Sequence, residues 1–211
     1  MPTRVTLKLA TSLDGRIAMP SGESRWITGE ASRTQGHRLR ASHDAILVGV
    51  ETVLADDPEL TVRFGEEGSD VAQPLRIVLD SRLRTPSSAK VASGKTLILT
   101  ATEPHPIGNA EVVRVASADG RPTIDAVLAA LADSNITSVL IEGGGQVAAS
   151  FIRAGRVDRL EWFRAPILLG AEGRPCIAGL ALAKLGNAPK FRRLSAEPLG
   201  DDLWERYEAV R

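Results

Sequence analysis

A carboxylate followed at once by three glycines, Glu142-Gly143-Gly144-Gly145, closes an apolar run in this chain. Glycines at such a point let backbone N–H groups approach a phosphate at the positive end of a following helix. The same residues also serve as a plain tight turn from strand to helix. Glu142 beside a phosphate site is poorly explained as structure, and its structural role would be to cap that helix. Lys8 interrupts an apolar alternation between Leu7 and Leu9. It is either a solvent-facing lysine on an edge strand or a cation kept for chemistry. Arg33, His37 and Arg40 recur at helical spacing and form one basic face. A solvated face is the usual meaning of such a stripe, although guanidinium forks also match the oxygens of a phosphorylated substrate. In Thr52-Val53-Leu54-Ala55-Asp56-Asp57-Pro58, the Asp57-Pro58 pair reads as the start of a turn, and that turn does not require Asp56 to be acidic. Leu60 and Arg63 lie just beyond.

These blocks sit where apolar runs end, which in an α/β protein is where ligands bind. Runs of strand length occur at Val5–Ala10, Ala45–Val50, Leu75–Leu79, Thr96–Thr100, Glu111–Val115 and Ser138–Ile141. Several are continuous rather than alternating, as expected of strands covered on both faces. Helical patterns fall between them. Thr123 is a natural N-cap for a helix burying Ile124, Val127, Leu128 and Leu131. Val147, Ala148, Phe151 and Ile152 repeat that pattern after the glycines, with Gly155 as its C′ residue. Ser24, Trp26 and Thr28 lie in a glycine-containing loop ahead of the helix that carries Arg33. Thr28 is expected to cap that helix, and Trp26 reads equally well as core. Asp14-Gly15 is a hairpin-type turn.

The last third changes character. Val157–Leu169 reads as one long strand, and Phe191–Leu194 and Leu203–Val210 as strands without an intervening helix, which predicts antiparallel strands closing a mixed sheet. Trp162, Phe163 and Ile167 in the long strand supply either core or an apolar interface. Phe64–Gln73, with three acidic residues and two glycines, reads as a surface loop rather than a boundary. The expectation is one α/β domain over residues 1–211.

Composition excludes several classes. With 26 basic and 26 acidic residues the chain lacks the basic excess of a nucleic-acid or membrane-surface binder. The single cysteine, Cys176, excludes an intrachain disulfide and a cysteine zinc site, and no metal is expected. No apolar stretch approaches the ~20 residues that span a bilayer, and the N-terminus has no signal-type apolar region, so the cytoplasm is the expected location. The absence of G-x-G-x-x-G argues against a classical dinucleotide-binding dehydrogenase.

Taken in order, Lys8-Leu9-Ala10-Thr11-Ser12-Leu13-Asp14-Gly15-Arg16-Ile17-Ala18, Ser21-Gly22-Glu23-Ser24-Arg25-Trp26-Ile27-Thr28, Gly49–Pro58 with Leu60 and Arg63, and Leu140–Gly145 resemble the pyrimidine reductases of riboflavin biosynthesis. The likeness runs from about Val5 to Glu205. It implies a dihydrofolate-reductase-like three-layer α/β/α fold with a mixed, mostly parallel central sheet and antiparallel C-terminal strands. It also implies NADPH as cofactor, a phosphorylated ribosylamino-pyrimidine as substrate, and a homodimer.

The resemblance also implies roles residue by residue. Lys8 becomes an active-site lysine near the reacting sugar. Ser24, Arg40, Leu60, Arg63 and Glu142 fall to the substrate, with Glu142 accepting from the pyrimidine edge and the two arginines meeting one phosphate. Ala10, Trp26, Thr52, Asp56 and Ser81 fall to the cofactor, as does the run Gly144, Gly145, Gln146, Val147, Ala148, Ala149 and Ser150 at its pyrophosphate. Ser81 matches a position near the adenosine, and Arg82 and Arg84 are within reach of a 2′-phosphate. The family reaction adds hydride at sugar C1′ of 5-amino-6-(5-phosphoribosylamino)uracil, turning ribosylamino into ribitylamino. Lys8 and Asp56 are the expected holders of its proton and charge work. Three rivals stand beside this reading: reduction of the undeaminated diamino-pyrimidinone, reduction of dihydrofolate or a pterin, and a non-catalytic NADPH-binding module. The chain carries no H-x-E with P-C-x-x-C, so a free-standing reductase without a zinc deaminase half is expected.

Overall fold

The computed structural model describes residues 2–63 and 71–211. Along the chain the elements are β1 (Arg4–Thr11), β2 (Arg16–Ala18), α1 (Glu30–Ala41), β3 (Ala45–Gly49), α2 (Val50–Asp56), β4 (Leu75–Leu79), β5 (Thr96–Thr100), β6 (Glu111–Arg114), β7 (Ser117–Ala118), β8 (Arg121–Pro122) and α3 (Ile124–Asp133). They continue with β9 (Ser138–Glu142), α4 (Gly145–Arg153), β10 (Arg159–Arg164), β11 (Arg174–Pro175), β12 (Phe191–Leu199) and β13 (Asp202–Ala209). Backbone contacts divide the chain into two compact units, one of residues 1–4 and 37–141, the other of residues 5–36 and 142–211. No helix among the described residues is long and apolar enough to cross a membrane.

In the first unit, β9, β3, β4, β5 and β6 lie side by side, all parallel. β3, β5 and β9 are buried at every position, which is why their sequences run apolar without alternation. Ile46, Val48, Val78 and Ile98 pack with Val50 and Val53 of α2 and with Leu60 and Val91 in one core cluster. α3 starts where the sequence expects, with the Thr123 hydroxyl accepting from Ala126 N–H at 3.3 Å. It ends at Asp133 with Ser134 as C-cap, and Asn135 just beyond takes a left-handed φ of 59°. The expected loop Phe64–Gln73 lies largely outside the described residues. Of its described end, Gln73 Oε1 accepts from Val62 N–H at 2.8 Å.

In the second unit β1 pairs parallel with β10, β10 antiparallel with β13, and β13 antiparallel with β12. The antiparallel C-terminal strands are as the sequence predicts. β10 is shorter than the expected Val157–Leu169. Ala165 N–H still reaches Thr11 O at 2.8 Å, but Pro166 has no N–H to continue the ladder. The chain then leaves the sheet as a strap over residues 166–179. The Asp14 carboxylate holds the start of the strap, taking N–H groups from Leu169 and Gly170 at 3.2 and 2.8 Å. The Ser12 hydroxyl and these amides lower the Asp14 pKa to about 2. The β2–β11 ribbon and the Cys176 N–H to Gly15 O bond tie its far end. Phe163 is core, fully buried and stacked on Trp204 at 5.8 Å between centroids, whereas Ile167 stays 39% exposed. Cys176 is buried, and desolvation pushes its thiol pKa up.

Asp44 fastens the starts of two neighbouring strands in the first unit. Its Oδ2 accepts from Thr137 N–H, Thr137 Oγ1–H and Ser138 N–H at 2.9, 2.6 and 2.9 Å, and Ser138 Oγ accepts from Asp44 N–H at 3.0 Å. The Thr137 hydroxyl is the main cause of a carboxyl pKa held below its ordinary value. Asp44→Ala should therefore cost about 1–2 kcal/mol in urea unfolding at pH 7, a figure set by the lost hydrogen bonds of a solvent-screened group. A depressed folded pKa means that the contribution is present above the unfolded value near ~4 and is lost as pH falls through the folded one. The gap between wild type and variant should thus shrink below about pH 4. A gap independent of pH would show that the carboxylate charge is not what holds these strands.

Candidate active site

Within the second unit, β1 delivers Lys8 and the end of β9 delivers Glu142. Their side chains meet at 3.7 Å, exposed by only 19% and 10%. Lys8 is therefore no solvent-facing edge residue. Its ammonium also lies 5.8 Å from the centroid of the buried Phe163 ring. Phe163 stacks on Trp204, whose indole N–H donates to Glu161 at 2.8 Å. Burial raises the Glu161 pKa, with the Trp204 bond opposing that shift. Phe163 and Trp204 read in sequence as ordinary apolar strand positions. Only the register that sets Ala10 against Phe163 and Phe163 against Trp204 would reveal them.

The N-cap of α4 is Gly144, two residues beyond Glu142. Gly143 and Gly144 both take φ of 83°, a region that L side chains avoid. Gly145 is required by packing: a Cβ there would lie 2.6 Å from Pro175 O on the strap. Its carbonyl accepts from Ala178 N–H at 3.0 Å. Ala148 N–H already bonds Gly144 O, so the helix-opening donors are those of Gly145, Gln146 and Val147. Ala148 and Ala149 are buried, and the Ser150 hydroxyl bonds back to Gln146 O at 2.9 Å. In the loop before α1, Trp26 is 69% exposed and so is not core. The Arg33 guanidinium lies 4.6 Å over its ring. Ser24 O accepts from Ile27 N–H at 3.2 Å. Ala10, like Lys8, belongs to β1.

In the first unit, Arg40, Leu60 and Arg63 come together. Arg40 Nη1 donates to Thr61 O at 2.9 Å, and His37 Nδ1 accepts from Arg63 N–H at 3.0 Å. His37, which the basic stripe leaves without a role, thus holds the Arg63 backbone. The Arg63 guanidinium is largely exposed, with Glu59 at 3.3 Å. The Leu60 side chain is buried in the core at 4% exposure with a left-handed φ of 54°, so only its backbone is presented. α2 carries Thr52 and ends at Asp56, and Asp57 is its left-handed C-cap, accepting from Lys90 N–H at 2.9 Å. Ser81 opens a turn held by the buried Asp80, which accepts from Thr85 N–H and Oγ1–H at 2.7 Å each. Arg84 pairs with Glu51.

A strand-end carboxylate, a half-buried lysine and a glycine turn opening a helix are arranged on the dihydrofolate-reductase-like fold. A dihydrofolate reductase from Enterococcus faecalis matches over the whole of both chains with a TM-score of 0.58 and 14% identity, a likeness of fold alone. Residues 3–204 match the RibD C-terminal domain, and the chain belongs to that family. The riboflavin biosynthesis protein RibD of Mycobacterium tuberculosis is 40% identical over 201 residues, covering 94% of this chain and 52% of the relative. The solved RibD of Acinetobacter baumannii superposes with a TM-score of 0.88 at 31% identity, covering 100% of this chain and 59% of that one. The chain thus spans about half the length of the curated relatives it matches.

Breaking the Lys8–Glu142 pair from one side leaves a carboxylate in a poorly hydrated place. Lys8→Met should lower stability by about 1–3 kcal/mol, and adding Glu142→Gln should restore part of that loss. Thermal unfolding of the two variants checks this. A double variant less stable than Lys8→Met alone would mean that the carboxylate is held chiefly by other partners.

Proposed function

We propose that residues 1–211 act as a single NADPH-dependent pyrimidine reductase domain of riboflavin biosynthesis. It reduces the ribosylamino group of 5-amino-6-(5-phosphoribosylamino)uracil to ribitylamino, with hydride added at sugar C1′. The observation that carries this reading is the half-buried Lys8–Glu142 pair immediately ahead of the glycine turn that opens α4. Membership of the RibD C-terminal domain family supports it.

The glycine turn fits a dinucleotide phosphate. Its positive-φ glycines bare the first N–H groups of α4, and nothing larger than hydrogen is accommodated at Gly145. Gly144, Gly145, Gln146 and Val147 would hold the pyrophosphate. Ala148 and Ala149 pack beneath that turn, and Ser150 stiffens it. Trp26 would offer an exposed indole face to the cofactor, Thr52, Asp56 and Ser81 would hold further parts of it, and the Ala10 backbone would hold the nicotinamide. When bound, NADPH supplies the hydride.

The chain itself binds, orients and manages protons. Glu142 accepts from the ring N–H groups of the pyrimidine, and Ser24 adds a hydroxyl. Arg40 and Arg63 neutralise the 5′-phosphate, with the Leu60 backbone between them in sequence. Lys8 Nζ donates to the sugar ring oxygen as the ring opens, and the Asp56 carboxylate balances the positive charge at C1′. In this reading the protein works in the cytoplasm as a homodimer, and equilibrium sedimentation at twice the chain mass is the result expected.

NADPH oxidation is measured with the uracil substrate, its undeaminated diamino precursor and dihydrofolate in parallel. Oxidation with either pyrimidine supports the reading and sets the order of deamination and reduction. Oxidation with dihydrofolate alone, or with none of the three, defeats it. Asp56→Asn should lower kcat by about a hundredfold while NADPH affinity stays within several-fold. Arg40→Ala should chiefly raise the substrate KM, because it removes binding shared by ground and transition states. An unchanged KM removes Arg40 from the phosphate site.

A further inference from the structure

β12 and β13 are joined by a two-residue turn, with Leu199 paired to Asp202. Gly200 stands first in it at φ 66°, the glycine-first pattern of tight hairpins. The turn rests on α1: a Cβ at Gly200 would lie 3.8 Å from Ala31 Cβ. It delivers Asp202, only 5% exposed, to the first turn of that helix. Asp202 Oδ2 accepts from Gly29 N–H at 2.7 Å and from Ser32 Oγ–H at 2.5 Å.

A helix start leaves its first N–H groups without intrahelical partners, and a carboxylate there is favoured by both hydrogen bonding and the helix dipole. The sequence offers Thr28 as cap, but α1 begins at Glu30, and the carboxylate beside its start, bonded to Gly29 N–H and the Ser32 hydroxyl, comes from a strand far along the chain. The hold is passed on. Arg33, one turn into α1, donates from Nη1 to Thr28 O at 2.8 Å and lies over the Trp26 ring at 4.6 Å. The segment carrying Ser24 and Trp26 is therefore fixed from its C-terminal side by Asp202, Ser32 and Arg33.

We propose that Asp202 is a positioning residue for catalysis, setting the place of Ser24 and Trp26 through the first turn of α1. The proposal rests on the reductase reading, in which those two residues meet substrate and cofactor. Losing a support outside the reacting centre shifts binding groups without removing the proton donors, so binding should suffer more than turnover.

The test compares Asp202→Ala, Asp202→Asn and Ser32→Ala. Asp202→Ala should raise KM for both the pyrimidine and NADPH about tenfold while kcat stays within about threefold. Asp202→Asn keeps an oxygen that accepts from both donors, so its KM values should stay within about twofold of wild type. Ser32→Ala, which removes one of the two bonds, should fall between them and serves if Asp202→Ala does not fold. Wild-type KM values in Asp202→Ala, whatever its thermal stability, overturn the proposal, as does an Asn variant as impaired as the Ala one. If the wild type turns over no pyrimidine, the reductase reading fails separately. Amide exchange in the segment Ser24–Arg33 then still decides the structural half of the proposal, that Asp202 holds this segment in place. Faster exchange in Asp202→Ala supports it, and unchanged exchange overturns it.

Discussion

A strand covered on both faces has no place for a charge except at its end or beside a partner. That constraint organises this protein. β3, β5 and β9 are buried throughout and apolar in their interiors, and charged groups wait until the strand stops: Asp56 after Gly49, and Glu142 at the close of β9. Asp80 and Ser81 stand in the same relation to β4. Lys8 is a cation inside β1, and it is tolerated because Glu142 and the face of Phe163 meet it there, as Glu161 inside β10 is met by the Trp204 indole N–H. The candidate polar groups are thus placed by where burial ends.

The supporting parts follow the same economy of polar groups. Asp44, Asp80 and Asp202 each accept two or more hydrogen bonds from backbone and hydroxyl donors of another segment. Carboxylates used in this way stabilise loop geometry without needing a cation beside them. Pro166 has the opposite effect. By withholding one donor it releases the chain from the sheet, and the strap that results closes over Gly145. The glycine run is therefore more than a permissive turn, because its third glycine is demanded by a neighbour that arrives from later in the chain.

Sequence reading recovers what is local. The central strands are found to within a residue or two, because continuous apolar runs have one explanation once they are short and bounded by turns. The α3 cap at Thr123 and the left-handed Gly155 after α4 are equally legible, since their partners lie within one helical turn. What depends on distant partners is not. The early end of β10 turns on a single proline inside a convincing apolar pattern. The start of α1 is held by Asp202 through Gly29 N–H and the Ser32 hydroxyl, and no local signal marks that partner. Trp26 shows the same limit: an indole in a short loop reads also as core, and its 69% exposure rules that out. The segment order of the motifs compensates in part, since it points to the RibD C-terminal family where no single residue does.

The two compact units are not consecutive pieces of chain. Residues 37–141 of one are written into the middle of the other, whose halves are residues 5–36 and 142–211. β1 emerges first, carrying Val5, Leu7 and Leu9, yet its parallel neighbour β10 is not made until residues 159–164. At a synthesis rate of about 5–20 residues per second, that gap lasts on the order of ten seconds. For that interval an apolar strand waits on the ribosome without the β10 partner that will cover its edge, while the inserted unit can complete its own parallel ladder as it emerges. The order of translation therefore leaves β1, the strand that carries the lysine, dependent on protection until β10 is made.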